Sequence, residues 1–174
     1  MAAATPTRPT STCASNAMSE PLDHQIAEGI AAALRQIRKA NGYFTDAGLQ
    51  VLSEEHHDEI DNEQIVLEVL DDDETAESQN AKRRKATLDL TIAVYYPAGE
   101  VDQALRRDAR RVLADIRRAL ASIAGIDCPH GWINGVVGFA IAGRSIFVRD
   151  AGSRYFRPEL KARVTFHENH RSNT

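Results

Sequence analysis

Apolar residues recur along the chain with two periods, and these divide it into elements. Ile26, Ile30, Leu34 and Ile37 follow one another at spacings of four, four and three, which predicts a helix over residues 22–40. Gln25, Glu28, Arg35, Arg38 and Lys39 take its other faces. Glu20 and Asp23 lie at its start and basic residues at its end, as the helix dipole prefers. Asn41-Gly42 should stop it, because both tolerate the left-handed conformation of a helix C-terminus. A short linker then leads to a predicted strand at Leu49–Leu52. Residues 53–62 read as polar and irregular, and Ile65–Leu70 as a strand.

The clearest strand is 86–96. Ala86, Leu88, Leu90, Ile92, Val94 and Tyr96 share one face, while Thr87, Asp89 and Thr91 open the other. Pro97-Ala98-Gly99 ends it. A second amphipathic helix is predicted over about residues 100–123, with a stripe of Val101, Leu105, Val112, Leu113, Ile116, Leu120 and Ile123, and with Gly125 as its stop. Its outside carries Arg106, Arg107, Arg110, Arg111, Arg117 and Arg118, with Asp108 and Asp115 among them. The last third is β-rich. Val136, Val137, Phe139 and Ile141 predict a strand before Gly143, and Ser145–Val148 another. Ala151-Gly152-Ser153 makes a turn. A strand begins after Arg157-Pro158, where Leu160, Ala162, Val164 and Phe166 alternate with Lys161, Arg163 and Thr165.

Residues 71–85 begin DDDETAE, end AKRRK and hold no apolar residue larger than Ala. They read as a long exposed loop between two strands, in which the acidic first half, Asp71, Asp72, Asp73 and Glu74, is placed to fold back on the basic second half, Lys82, Arg83, Arg84 and Lys85. The resulting organisation is a disordered or extended tail at 1–21, one domain at 22–168, and a polar C-terminal tail at 169–174, with the whole segment HENHRSNT expected to fray. The fold class is α+β: a mostly antiparallel sheet with two main amphipathic helices packed on one face.

Composition changes this picture little. The chain has 174 residues, 43% hydrophobic and 26% charged, as in an ordinary globular domain. A net charge of −4 gives no bulk argument for nucleic acid. The cysteines are Cys13 and Cys128, one of them in the tail, which favours a reducing compartment over a structural disulfide. No apolar run approaches the ~20 residues of a membrane helix. The N-terminus lacks the apolar core of a signal peptide, and Met18 offers an alternative translation start.

No catalytic constellation emerges. There is no phosphate-binding GxxxxGK, no GxGxxG between strand and helix, and no GxSxG elbow. His56 and His57 are adjacent and chelate poorly in a strand; Cys128 and His130 lack the rest of a zinc set. Consecutive carboxylates at 71–74 lack the fixed geometry that acid–base chemistry needs. Neither a metal nor a cofactor is therefore expected. The arginine helix suggests a nucleic-acid face, but aspartates intervene and no aromatics are interleaved to stack on bases. A pair such as Asp108–Arg111 suits a solvated helix or a subunit contact.

One combination carries a resemblance. An amphipathic helix runs into Asn41-Gly42-Tyr43-Phe44-Thr45-Asp46-Ala47-Gly48 and a short strand. After it come LDLTIAVYY, a helix opening shortly after a proline, and a closing β region with Gly143-Arg144-Ser145 and Arg163–Phe166. Over roughly residues 22–168 this resembles the tail terminator, or tail-completion, proteins of long-tailed phages, most recognisably at Asn41, Gly42, Tyr43, Thr45, Asp46 and Gly48. The first 17 residues and segment 71–85 depart from that family's pattern. The resemblance implies a non-enzymatic virion protein of the tail and neck, present in the host cytoplasm during assembly. It implies a hexameric ring of identical subunits on the head-proximal end of the tail tube. The partners would be the tube protein, the head–tail connector and DNA crossing the lumen without sequence recognition. Contacts would then fall to Asp71–Asp73 and Lys82–Lys85, and to the arginine face of the second helix as an interface or lumen surface. Two other readings stand beside it: another neck protein, of the head-completion or connector kind, and a small nucleic-acid-binding protein.

Overall fold

A computed structural model of the protein describes residues 20–53, 64–79, 83–97, 102–124, 133–148 and 156–169. Two helices, α1 (Leu22–Leu34) and α2 (Gln103–Ala124), cover one face of a five-stranded sheet. The strands are β1 (Gln50–Leu52), β2 (Val66–Gln79), β3 (Arg83–Tyr95), β4 (Val136–Val148) and β5 (Arg157–Asn169), in the order β1-β2-β3-β5-β4. Only β1 with β2 is parallel. The fold is the predicted α+β arrangement.

The core forms where the two periodicities meet. Ile26, Ile30 and Leu34 of α1 and Val112, Leu113, Ile116 and Leu120 of α2 close on Leu67 and Val69, on Leu88, Leu90 and Ile92, and on Leu160, Val164 and Phe166. Each such side chain taken fully out of water contributes about 1.5–3 kcal/mol before the entropy of ordering is subtracted. Asp102 accepts the Leu105 N–H at 2.7 Å and so caps the first turn of α2.

Several boundaries differ from the sequence reading. α1 ends at Leu34, not near residue 40, because the Gln36 and Ile37 N–H groups reach back only three residues, to Ala33 and Leu34. Arg38 is then extended, with φ −137°. Ile37 stays fully buried even so, which is why it fits the helical stripe. The basic residues lie beyond the helix, and its last turn has none.

The segment 71–85 is not a loop. β2 and β3 form one long hairpin through it, paired as far as Gln79 with Arg84, and 80–82 lie outside the described residues. The cause is in the charges. Arg84 bonds Glu74 and Lys85 bonds Glu77 across the strands, whereas Asp71 and Asp73 lie opposite Leu90 and Asp89, beyond the basic run. Register shifts at Asp71/Asp73 and Ala76/Ser78 let the hairpin bend.

β4 is one strand where two were expected. A register shift between Ile141 and Gly143 absorbs the glycine and the ladder continues. β5 starts at Arg157, not after Pro158; the proline, which has no N–H, falls where β4 shifts register between Ser145 and Val148. Nor does the chain fray at His167: β5 continues to Asn169 because Lys85, Arg84 and Arg83 supply partners as far as that residue. The N-terminal tail through residue 19, residues 170–174, and the turn at 151–153 lie outside the described residues.

Candidate functional site

The motif residues at 41–48 build a connector fastened to the rest of the fold at both ends. The Asn41 side-chain amide donates to the Gln36 carbonyl at 2.9 Å, and Gly42 takes φ +81°, the left-handed conformation that glycine adopts without strain. The Lys39 N–H donates to Asp46 at 2.8 Å, and the Lys39 ammonium lies 3.4 Å from the same carboxylate. The backbone bond first, and the ammonium second, hold the Asp46 carboxyl below its usual range. The Gly48 N–H reaches the Ile37 carbonyl at 3.0 Å. A Cβ at Gly48 would lie 2.3 Å from the Leu34 carbonyl oxygen, so no other residue fits without moving backbone.

The far end is tied to α2. Asp115 accepts the Phe44 N–H at 3.1 Å, the Thr45 N–H at 2.9 Å and the Thr45 hydroxyl at 2.7 Å. Arg118 donates to the Gly42 carbonyl at 2.7 Å and stacks over the Tyr43 ring at 4.9 Å. Asp115 therefore does not belong to the outer, solvated face with the arginines. It is fully buried and receives the connector. Its spacing carried the signal: it stands three residues after Val112 and four before Ala119, both of them buried.

With its polar groups satisfied inward, the connector turns two large apolar side chains outward. Phe44 is 67% exposed and Leu49 62%. They border an open groove of about 410 Å³ completed by Lys39, Asp46, Asp108 and Arg111.

The six arginines form two stripes at helical spacing, Arg106–Arg110–Arg117 and Arg107–Arg111–Arg118. Arg111 pairs with Asp108 at 3.5 Å, as the spacing predicted. Arg118 is engaged in the connector, whereas Arg107 and Arg110 are exposed and have no ion-pair partner among the described residues.

No family model matches this chain, and no curated protein matches it.

The acidic and basic residues of the hairpin are not one patch. Arg84 spans Glu74 and Glu168, the latter at 3.7 Å, and Thr87 donates to Glu77 at 2.6 Å. Bonds from Lys85 and then Thr87 hold the Glu77 carboxyl below its usual range. Asp72 accepts from Thr91 at 2.5 Å and lies 3.8 Å from Lys161. Asp89 takes a two-pronged contact from Arg163 at 2.7 and 2.9 Å, which lowers its pKa. Asp71 is on the helix-covered side, paired with Leu90, beside a groove that also holds Glu20, Asp23 and His24. Partial burial, and then the charge of Asp23, push its carboxyl up. Asp73 is exposed on the opposite side. Lys82 lies outside the described residues.

A polar cluster on the sheet's other face was not foreseen. Glu68 and Glu159 flank Ala93 in register, and both are buried. Tyr95 donates to Glu68 at 2.6 Å, and Arg157 donates to Glu159 at 2.8 Å while lying over the Tyr95 ring. Burial first, then the bond to Glu68, push the Tyr95 phenol far above its ordinary pKa. The alternation of β3 places Tyr95 on the polar face, but nothing in the sequence pairs it with a residue 27 positions earlier.

No group of three or more potential metal ligands occurs among the described residues; Cys13, Cys128, His56, His57 and His130 lie outside them. No helix among the described residues is long and apolar enough to cross a membrane.

Proposed function

We propose that this chain is a structural phage virion protein that assembles with copies of itself into a ring on the head-proximal end of a tail tube. The ring ends tube polymerisation and gives the head connector a surface to join. DNA crosses its lumen without sequence recognition, past the exposed arginines of α2. No catalytic step and no cofactor enter this role.

The observation that carries the reading is the use the fold makes of the motif resembling the terminator family. Its polar residues are spent on fastening the connector, through Asp115, Arg118 and Ile37, and are not gathered around a cavity as reacting groups. The fastened connector holds Phe44 and Leu49 in water. Large apolar side chains on a rigid support suit a protein whose work is binding other chains.

The test is a tube-growth assay. Tail tube protein polymerising in the presence of this chain should give short tubes, blocked at one end, in electron micrographs. Tubes that grow to the same length with and without it would remove the proposal. Binding to the portal side alone would move the assignment to another neck protein. Salt-dependent binding of duplex DNA by the isolated chain would move it to the nucleic-acid reading.

A further inference from the structure

The arginine face of α2 changes character once the chain is folded. In the sequence its six arginines are interrupted by two aspartates, Asp108 and Asp115. Folding removes one of them from the surface. Asp115 is fully buried, and its carboxylate is taken up by the Phe44 and Thr45 donors. Asp108 is then the one carboxylate that the helix exposes, and Arg111 matches it at 3.5 Å. Arg107 and Arg110 stay exposed, with no ion-pair partner among the described residues.

Between the arginines the face is small. Ala114 is exposed four residues after Arg110 and four before Arg118, and Ala121 is exposed beyond it. No side chain there stands in the way of a long, straight partner. The helix has no aromatic residue to stack on bases, which leaves charge as what it offers a nucleic acid. From Arg107 to Arg118 it rises about 16 Å. Over that length one strand of duplex DNA carries about five phosphates. The acidic residues of the chain itself make no matching row among the described residues. Glu74, Glu77, Asp72 and Asp89 are paired within the sheet, and Glu20, Asp23 and Asp71 surround a groove.

We infer that the outer face of α2 is the surface on which duplex DNA rests in the ring, with Arg107 and Arg110 meeting its phosphates, so that α2 lines the lumen. This rests on the ring reading and orients the subunit within it. The helices point inward, and the opposite face of the sheet, which carries Asp89 and Arg163, points outward. Contacts to phosphate alone position a duplex without reading its sequence. One copy neutralises about two phosphates, too few to hold DNA at physiological salt, whereas copies set around a ring act together.

The test uses rings of the full chain, free or on tube ends, with a short linear DNA duplex as the probe. Rings should retain the duplex at low salt and release it as salt rises. Arg107→Gln combined with Arg110→Gln should form the same rings and retain the duplex roughly tenfold less. Position gives a second route, in the chain with Cys13 and Cys128 replaced by serine. An iron–EDTA group on Ala114→Cys should cut the duplex, and the same group on Ala142→Cys, beside Asp89 and Arg163, should not. Rings that ignore the duplex, or cutting from Ala142→Cys as strong as from Ala114→Cys, would overturn the inference and leave the ring reading standing. So would a double arginine variant that folds but no longer closes into rings, since the arginines would then be subunit contacts. Failure of the unsubstituted chain to assemble, alone or on tubes, would overturn both.

Discussion

The connector 41–48 and the hairpin segment 71–85 both stand out from the sequence, and the fold uses them in opposite ways. The connector concentrates residues with special backbone and bonding needs, and nearly all of these are met internally. Asp115 alone takes three bonds from it, and Gly48 fits only because it lacks a Cβ. The hairpin concentrates like charges in blocks, and pairing across strands consumes most of them: Glu74, Glu77 and Asp72 all have partners. Among the described residues, two apolar side chains at the connector and Asp71 and Asp73 at the hairpin are left exposed without an ion-pair partner. Conspicuous residues mark where the chain is organised; the surfaces available to partners are what that organisation leaves over.

The largest effect is expected at the connector. Asp115→Ala removes the common acceptor of two backbone N–H groups and a hydroxyl, and should cost about 3 kcal/mol of stability in denaturant unfolding. Asp115→Asn, which keeps one acceptor oxygen, should cost less. A loss for the alanine variant no larger than that of an exposed site would show the connector to be an ordinary surface loop.

The hairpin should respond more weakly, and to acid. Glu77 and Asp89 have lowered pKa values in the folded protein. Their contribution is therefore present above the unfolded carboxylate range, about pH 4, and is lost as the pH falls through the lower folded values. Asp71 is raised and has the opposite sign: it favours the folded state as it protonates. The small stability deficit of Asp89→Asn at neutral pH should close in acid, while Asp71→Asn should show no deficit at pH 7. A pH-independent Asp89→Asn deficit would break the charge-pairing account.

Phe44→Ser should have the smallest effect on folding, within about 0.5 kcal/mol of the original protein, because the side chain is 67% exposed. Its loss should instead show in assembly. A large drop in thermal stability would place Phe44 in the fold's own packing.

Periodicity made the scaffold legible. The stripes of α1 and α2 and the alternation of β3 and β5 predicted the core and the one-sided packing of helices on sheet, because burial of one face imposes the pattern directly. The hairpin was hidden because its outer strands carry charges in blocks and no large apolar residue, so no apolar period reveals their pairing, which cross-strand ion pairs support. The unity of β4 was hidden because Gly143, read as a break, is a register shift. The connector motif was visible as residues, but its role was not. The residues that fasten it, Asp115 and Arg118, lie 70 or more positions away from it, beyond the reach of local patterning.

We propose that this chain works by closing into a ring on a tube end. Native mass spectrometry of the purified protein, alone and after mixing with preformed tail tubes, tests it most directly. Ring-sized species, recovered on tube ends, are expected. A protein that stays monomeric and is not retained by tubes would contradict it.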